Sequence, residues 1–186
     1  MLLYALLGIL RYAPMSGYDL EQFISISITH FWNAKLSQIY RTLKKMEEDG
    51  LVVSEMQEQD GARSKRVYTI TEAGIREFES WHTQIETELD EIKQPFLVRT
   101  FFMGTQDKDK IQQQMQVWQS LHEQHLNMFE NVLPQNIERV KREHGIHPPQ
   151  RDTFFWWTTL RFGILYEQMV LQWLAEMQQT IDQFDE

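Results

Sequence analysis

The chain has 186 residues, no cysteine and a formal net charge of −9. That length supports one or two small domains with real cores, and the missing cysteine excludes a disulfide framework, a thiolate zinc site and a thiol nucleophile. No stretch of about 18 uncharged residues occurs, so no membrane-spanning helix is expected.

The negative total does not exclude a nucleic-acid partner, because the two signs are segregated. Residues 1–80 hold 9 Lys+Arg against 11 Asp+Glu, and the remainder holds 9 against 16. The acidity therefore sits mainly in the second half.

In chain order, the apolar start, residues 1–10, lacks a basic segment ahead of it and a small-residue cleavage site behind it. It reads as a buried first helix over residues 2–12 rather than a signal peptide. Ala13-Pro14 breaks it, and Ser16-Gly17-Tyr18-Asp19 opens a second helix, with Ser16 and Asp19 spaced for reciprocal capping. Leu20, Phe23 and Ile24 follow at core spacing. Asn33 is the expected cap of a third helix over 34–49, which Gly50 stops. Its apolar stripe is Leu36, Ile39, Tyr40, Leu43 and Met46, one face of a 3.6-residue period. Residues 51–58 and 65–70 read as two strands around a loop with its tip at 60–64. Thr71 then caps a fourth helix to about residue 88.

Pro95 punctuates a charged connection. A short helix over 96–103 follows, then a long one over 107–141 with Pro134 inside it, a loop at 144–150, and a second long helix over 152–184. The expected architecture is mainly α: a winged helix-turn-helix domain with a two-stranded β-wing, plus a C-terminal long-helix dimerisation domain. We place the DNA-binding domain at 1–88, a linker and short helix at 89–106, and the dimerisation and effector domain at 107–186.

Two basic clusters carry the functional reading. A helix of this kind enters the major groove, where Gln pairs with adenine, Arg with guanine or phosphate, and Lys with phosphate. The contacting set on the third helix is Ser37, Gln38, Tyr40, Arg41, Lys44 and Lys45. Arg63, Lys65 and Arg66 lie at the expected tip of the hairpin and suit the DNA backbone or minor groove. On the last helix, Trp157, Leu160, Ile164, Leu171, Leu174 and Ile181 form one apolar stripe, and Phe155, Phe162, Tyr166, Met169, Trp173 and Met177 form another. A helix outside a monomer needs only one such face. Leu160, Ile164, Leu171 and Leu174 are therefore assigned to a homodimer contact. A two-fold protein suits a pseudo-palindromic double-stranded operator. Trp32, Trp118 and Trp157 are candidate walls of a small aromatic effector's site.

The pairs His122/His125 and His144/His147 have metal-like spacing but no clear carboxylate geometry, and read as surface or packing residues. No catalytic constellation stands out and no cofactor or metal is expected, so an enzyme is disfavoured. A winged-helix protein-interaction adaptor that does not bind DNA is the alternative.

Residues 2–74 resemble the PadR family of transcriptional regulators. The matching pieces are Ser16-Gly17-Tyr18-Asp19-Leu20, Phe31-Trp32, Ser37-Gln38-Ile39-Tyr40, Leu43 through Gly50-Leu51, and Arg66-Val67-Tyr68-Thr69-Ile70-Thr71-Glu72-Ala73-Gly74. The second half is similar to the longer subfamily, which ends in helices related to virulence activators. The resemblance implies a dimer, usually a repressor, often relieved by a small molecule, phenolic acids among them, and the absence of cysteine fits a reducing cytoplasm.

Overall fold

A computed structural model describes residues 1–28, 31–32, 34–59, 62–89, 93–181 and 183, with the side chains of Gln59, Ala62 and Arg63 outside that description. It divides into two compact units: Met1–Ile85 with Leu133–Thr159, and Glu86–Val132 with Leu160–Glu186.

The first unit opens with α1 (Leu2–Leu10), β1 (Met15–Ser16) and α2 (Gly17–Ser27). Ser16 caps α2 reciprocally with Asp19, as its spacing predicts: Asp19 N–H donates to Ser16 Oγ at 3.2 Å, and Ser16 N–H to Asp19 Oδ2 at 3.0 Å. α3 (Leu36–Glu48) starts after Lys35, two residues later than expected; the expected cap, Asn33, lies outside the described residues. α3 ends in a Schellman motif. Gly50 has φ +70°, Leu51 N–H donates to Met46 carbonyl at 2.8 Å, and Gly50 N–H to Glu47 carbonyl at 3.1 Å.

β2 (Val52–Gln59) and β3 (Ala62–Ile70) pair antiparallel from Val52↔Ile70 to Gln59↔Ala62, with a register shift between Gln57 and Gln59. The strands thus extend further toward the turn than the expected 51–58 and 65–70, and the turn signal Asp60-Gly61 lies outside the described residues. Lys65 and Arg66 consequently sit within β3, opposite Gln57 and Met56, not at the hairpin tip. β1 completes a three-stranded antiparallel sheet of order β1-β3-β2 through Met15↔Tyr68 and Ser16↔Val67. Two residues are too short a run to show a strand's alternation, so periodicity does not reveal β1.

α4 (Glu72–His82) is capped by Thr71, whose Oγ1 accepts from Gly74 N–H at 3.1 Å, and it stops six residues short of its expected end. Gly74 is required there: a Cβ at this position would fall 2.2 Å from the Leu51 carbonyl oxygen. The unit is completed by α7 (Leu133–Glu143) and the first residues of α8 (Gln150–Ile181).

One core joins these pieces: Leu6, Leu7, Leu20, Ile24, Ile39, Leu43, Met46, Val52, Val140 and Ile146 are all buried in it. Each such side chain contributes roughly 1.5–3 kcal/mol by leaving water. Tyr12 Oη donates to Asp152 Oδ2 at 2.8 Å, and the Trp156 ring meets Tyr12 and Phe23 edge-on at 5.1 and 5.9 Å. The start of α8 is thereby fastened to the α1–α2 region.

The second unit contains α5 (Pro95–Phe101), a 3-10 turn (Met103–Thr105), α6 (Lys108–Asn127), a π turn (Met128–Val132) and the remainder of α8. The long helix expected over 107–141 is thus interrupted. Pro134 has no N–H to offer the carbonyl four residues back, and the backbone widens to a π turn directly before it. Leu160, Val170, Leu174 and Ile181 of α8 are buried, with Met103, Met115 and Phe129. No helix among the described residues is long and apolar enough to cross a membrane.

Candidate nucleic-acid interface

α3 divides cleanly. Ile39, Leu43 and Met46 are fully buried, and Ser37, Gln38, Tyr40, Arg41, Lys44 and Lys45 are exposed. Leu36 and Tyr40 depart from the inner stripe to which their spacing assigns them: both are exposed, because they lie at its edge. The Tyr40 ring is laid over Gly17, where a Cβ would come within 2.5 Å of it.

Arg41 and Lys45 stand four residues apart on one helix face and have no ion-pair partner among the described residues. Lys44 is 3.7 Å from Glu48, an exposed pair of little energetic weight. Gln38 does more than spacing reveals. Its Oε1 accepts from Lys35 N–H at 3.0 Å, which ties up one of the backbone donors at the start of α3. That bond takes one of the two lone pairs of Oε1, so the bidentate pairing with adenine expected from the sequence requires the oxygen to be shared or the amide to reorient.

The wing cations are held by carboxylates. Lys65 Nζ is 3.5 Å from Asp19 Oδ2, and Arg66 Nη1 is 3.8 Å from Glu47 Oε2. Burial pushes the Asp19 carboxyl up, but hydrogen bonds from Ser16 and the charges of Lys65 and His144 outweigh it, leaving Asp19 below the usual carboxylate value. Arg63 lies on β3, and its side chain is outside the described residues.

Family models match two consecutive segments: the transcriptional regulator PadR-like family over residues 6–80 and the virulence activator alpha C-terminal domain over 92–182. The chain thus carries a PadR-like domain followed by a virulence-activator C-terminal domain, and it is homologous to PadR regulators. The chain is similar to the negative transcriptional regulator PadR of Bacillus subtilis, at 33% identity over 101 residues, 54% of this chain and 56% of that one. A probable transcriptional regulator of Mycobacterium tuberculosis is 38% identical over 78 residues, 42% of this chain and 41% of that one. The chain thus spans about half the length of these curated relatives.

The PadR-like fold extends over almost the whole chain. Bacillus subtilis PadR in complex with operator DNA superposes with a TM-score of 0.79 at 23% identity, covering 97% of this chain and 98% of that one. The same protein in complex with p-coumaric acid gives 0.73 at 23% identity, covering 97% and 98%. The Vibrio cholerae virulence activator AphA gives 0.69 at 25% identity, covering 98% of each chain.

The proposed effector and dimer residues are distributed differently from the sequence expectation. Trp32 and Trp157 belong to the first unit and Trp118 to the second. Trp118 packs on Phe96 at 5.7 Å, and Phe96 also meets Trp173 at 5.8 Å. Neither Trp32 nor Trp157 stacks on another ring among the described residues. A groove of about 340 Å³ in the second unit is lined instead by Val98, Arg99, Phe102, Met103, Thr105, Gln106 and Gln114; no periodicity in the sequence marks it.

On α8, Leu160 and Leu174 are 5% and 3% exposed, so the chain itself covers them, and Ile164 and Leu171 are half-buried. Of the other stripe, Phe155, Phe162 and Met169 are 53%, 65% and 56% exposed, whereas Tyr166, Trp173 and Met177 are half-buried. The amphipathic pattern shows two stripes but not which residues of each the chain covers.

His122 and His125 also acquire a partner that spacing alone does not reveal. Both ring Nδ1 atoms face the carboxylate of Glu167, which is 4% exposed; His122 is hydrogen-bonded to Oε2 and His125 is 3.5 Å from Oε1. Glu167 interrupts an apolar run, and that interruption is the sequence signal for it. Among the described residues no cluster of three His, Asp or Glu is arranged to hold a metal ion.

Proposed function

We propose that this regulator acts in the cytoplasm as a homodimer on a pseudo-palindromic duplex operator, as a repressor released by a small aromatic molecule. The observation that carries the reading is the outer face of α3, where Ser37, Gln38, Arg41 and Lys45 project from a rod whose other face is locked in the core. Arg41 supplies a planar fork suited to guanine or phosphate, and Lys44 and Lys45 supply point charges for phosphate. Tyr40 and the wing residues Arg63, Lys65 and Arg66 complete the contact set within residues 1–88. Pairing through residues 107–186 would place two α3 helices about 34 Å apart, one turn of duplex. The exposed Phe155, Phe162 and Met169 supply an apolar surface for that pairing, beside the stripe of Leu160, Ile164, Leu171 and Leu174. The operator-DNA and p-coumaric acid complexes of Bacillus subtilis PadR support both ligand classes. Trp118, with Phe96 and Trp173, is the aromatic cluster best built for the effector.

The test uses a duplex recovered from random sequence by selection on the full chain, compared with a random duplex of equal length. Arg41→Ala should cost about 1–3 kcal/mol on the selected duplex and less on the random one. Equal losses on both would reduce Arg41 to a backbone contact, and no binding by the native chain would overturn the reading.

A further inference from the structure

This inference rests on the DNA-binding reading above. Lys65 and Arg66 are neighbours on β3, and successive side chains of a strand leave opposite faces. They accordingly reach different helices: Lys65 meets Asp19 at the start of α2, and Arg66 meets Glu47 near the end of α3. Glu47 has a second commitment, since its Oε1 accepts a hydrogen bond from Ser54 Oγ on β2. One carboxylate thus connects α3 to both strands of the hairpin, through a cation that the DNA backbone would also attract.

We propose that Glu47 is a specificity-determining positioning residue. It holds Arg66, and with it the hairpin, in one orientation relative to α3. A guanidinium carries five donors, so Arg66 can serve Glu47 and a phosphate together when the phosphate arrives on the open side. A duplex on which α3 sits out of register presents its phosphate elsewhere and must first pull Arg66 off Glu47. The carboxylate therefore taxes misplaced complexes more than correct ones, a discrimination by cost to the wrong partner. Asp19 restrains Lys65 in the same way, but it also caps α2, so Glu47 gives the cleaner test.

Glu47→Gln preserves side-chain length and an acceptor for Ser54 while freeing the charge of Arg66. Glu55→Gln is the control for lost charge alone: Glu55 is exposed on β2 of the same hairpin and has no ion pair among the described residues. Affinities for the selected and random duplexes are measured across a salt series with the full chain. Relative to Glu55→Gln, Glu47→Gln should bind the random duplex more tightly, with a salt slope steeper by about one unit. Its selected-to-random ratio should fall about three- to tenfold, a modest share of the discrimination typical of specific binders. In an Arg66→Gln background, Glu47→Gln should change the ratio no further. A ratio matching that of Glu55→Gln, or a loss that persists without Arg66, overturns the proposal. A native chain that binds neither duplex overturns the DNA-binding reading itself, and this inference with it.

Discussion

The ring of Tyr40 occupies the space that any side chain at Gly17 would need, since a Cβ there would lie 2.5 Å from Tyr40 Cε1. The first residue of α2 and an exposed residue of α3 are therefore fitted to each other, and the fit sets where Tyr40 points. Gly17→Ala should displace the ring and destabilise the first unit by about 1–3 kcal/mol, the usual range for overpacking. In a Tyr40→Ala background the same substitution should cost much less. Urea denaturation of the four chains measures this coupling, and additive costs would show that the two residues do not compete for space.

Glu167 is a buried carboxylate whose partners among the described residues are His122 and His125. Removing His122 leaves it short of a donor. His122→Ala is expected to cost about 1–3 kcal/mol, the usual penalty for an underpaired buried polar group, whereas His122→Leu combined with Glu167→Leu should recover most of it. Chemical denaturation followed by Trp fluorescence reports this; a double substitution worse than the single one would contradict it.

Tyr12 should be among the last tyrosines to ionise. Burial and its hydrogen bond to Asp152 push its hydroxyl up to about 12. The folded value lies above the unfolded one, so the stabilisation is complete below the ordinary tyrosine value of about 10 and is lost as pH rises through the folded value. Ultraviolet titration of phenolate formation should show a late component that Tyr12→Phe removes. The same substitution should flatten the decline in stability across that alkaline window, and a titration unchanged by it would refute the assignment.

The exposed stripe of α8 makes a prediction about assembly. Phe162→Ser with Met169→Ser should leave the chain folded and shift it to monomer in sedimentation velocity, since both side chains are more than half exposed in the single chain. Leu160→Ser should instead reduce stability, by about 2–5 kcal/mol if it behaves as other core truncations do. A chain that stays dimeric after loss of both exposed residues would move the interface elsewhere.

How much of this was legible in the sequence depends on whether the signal is local. The Ser16–Asp19 cap, the Gly50 stop and the burial of Ile39, Leu43 and Met46 follow from spacing, and all are present. The basic face of α3 is legible for the same reason. Features that depend on distant partners are not. β1 exists because β3 offers it an edge, and Glu47 gains its partners because Ser54 and Arg66 reach it from β2 and β3. The histidine pair has no partner in its own spacing, because its carboxylate, Glu167, lies forty-five positions from His122. On α8 the pattern of apolar residues is visible, but only packing separates Leu174 from Met169.

Ser16 is at once the last residue of a sheet edge and the cap of the helix that follows. No slack chain separates the two, so α2 has no hinge about which to tilt independently of the strand behind it. Loosening that short ladder should release the helix's first turn in the same event, and the backbone amides of Ser16, Asp19 and Val67 should exchange with solvent at a common rate.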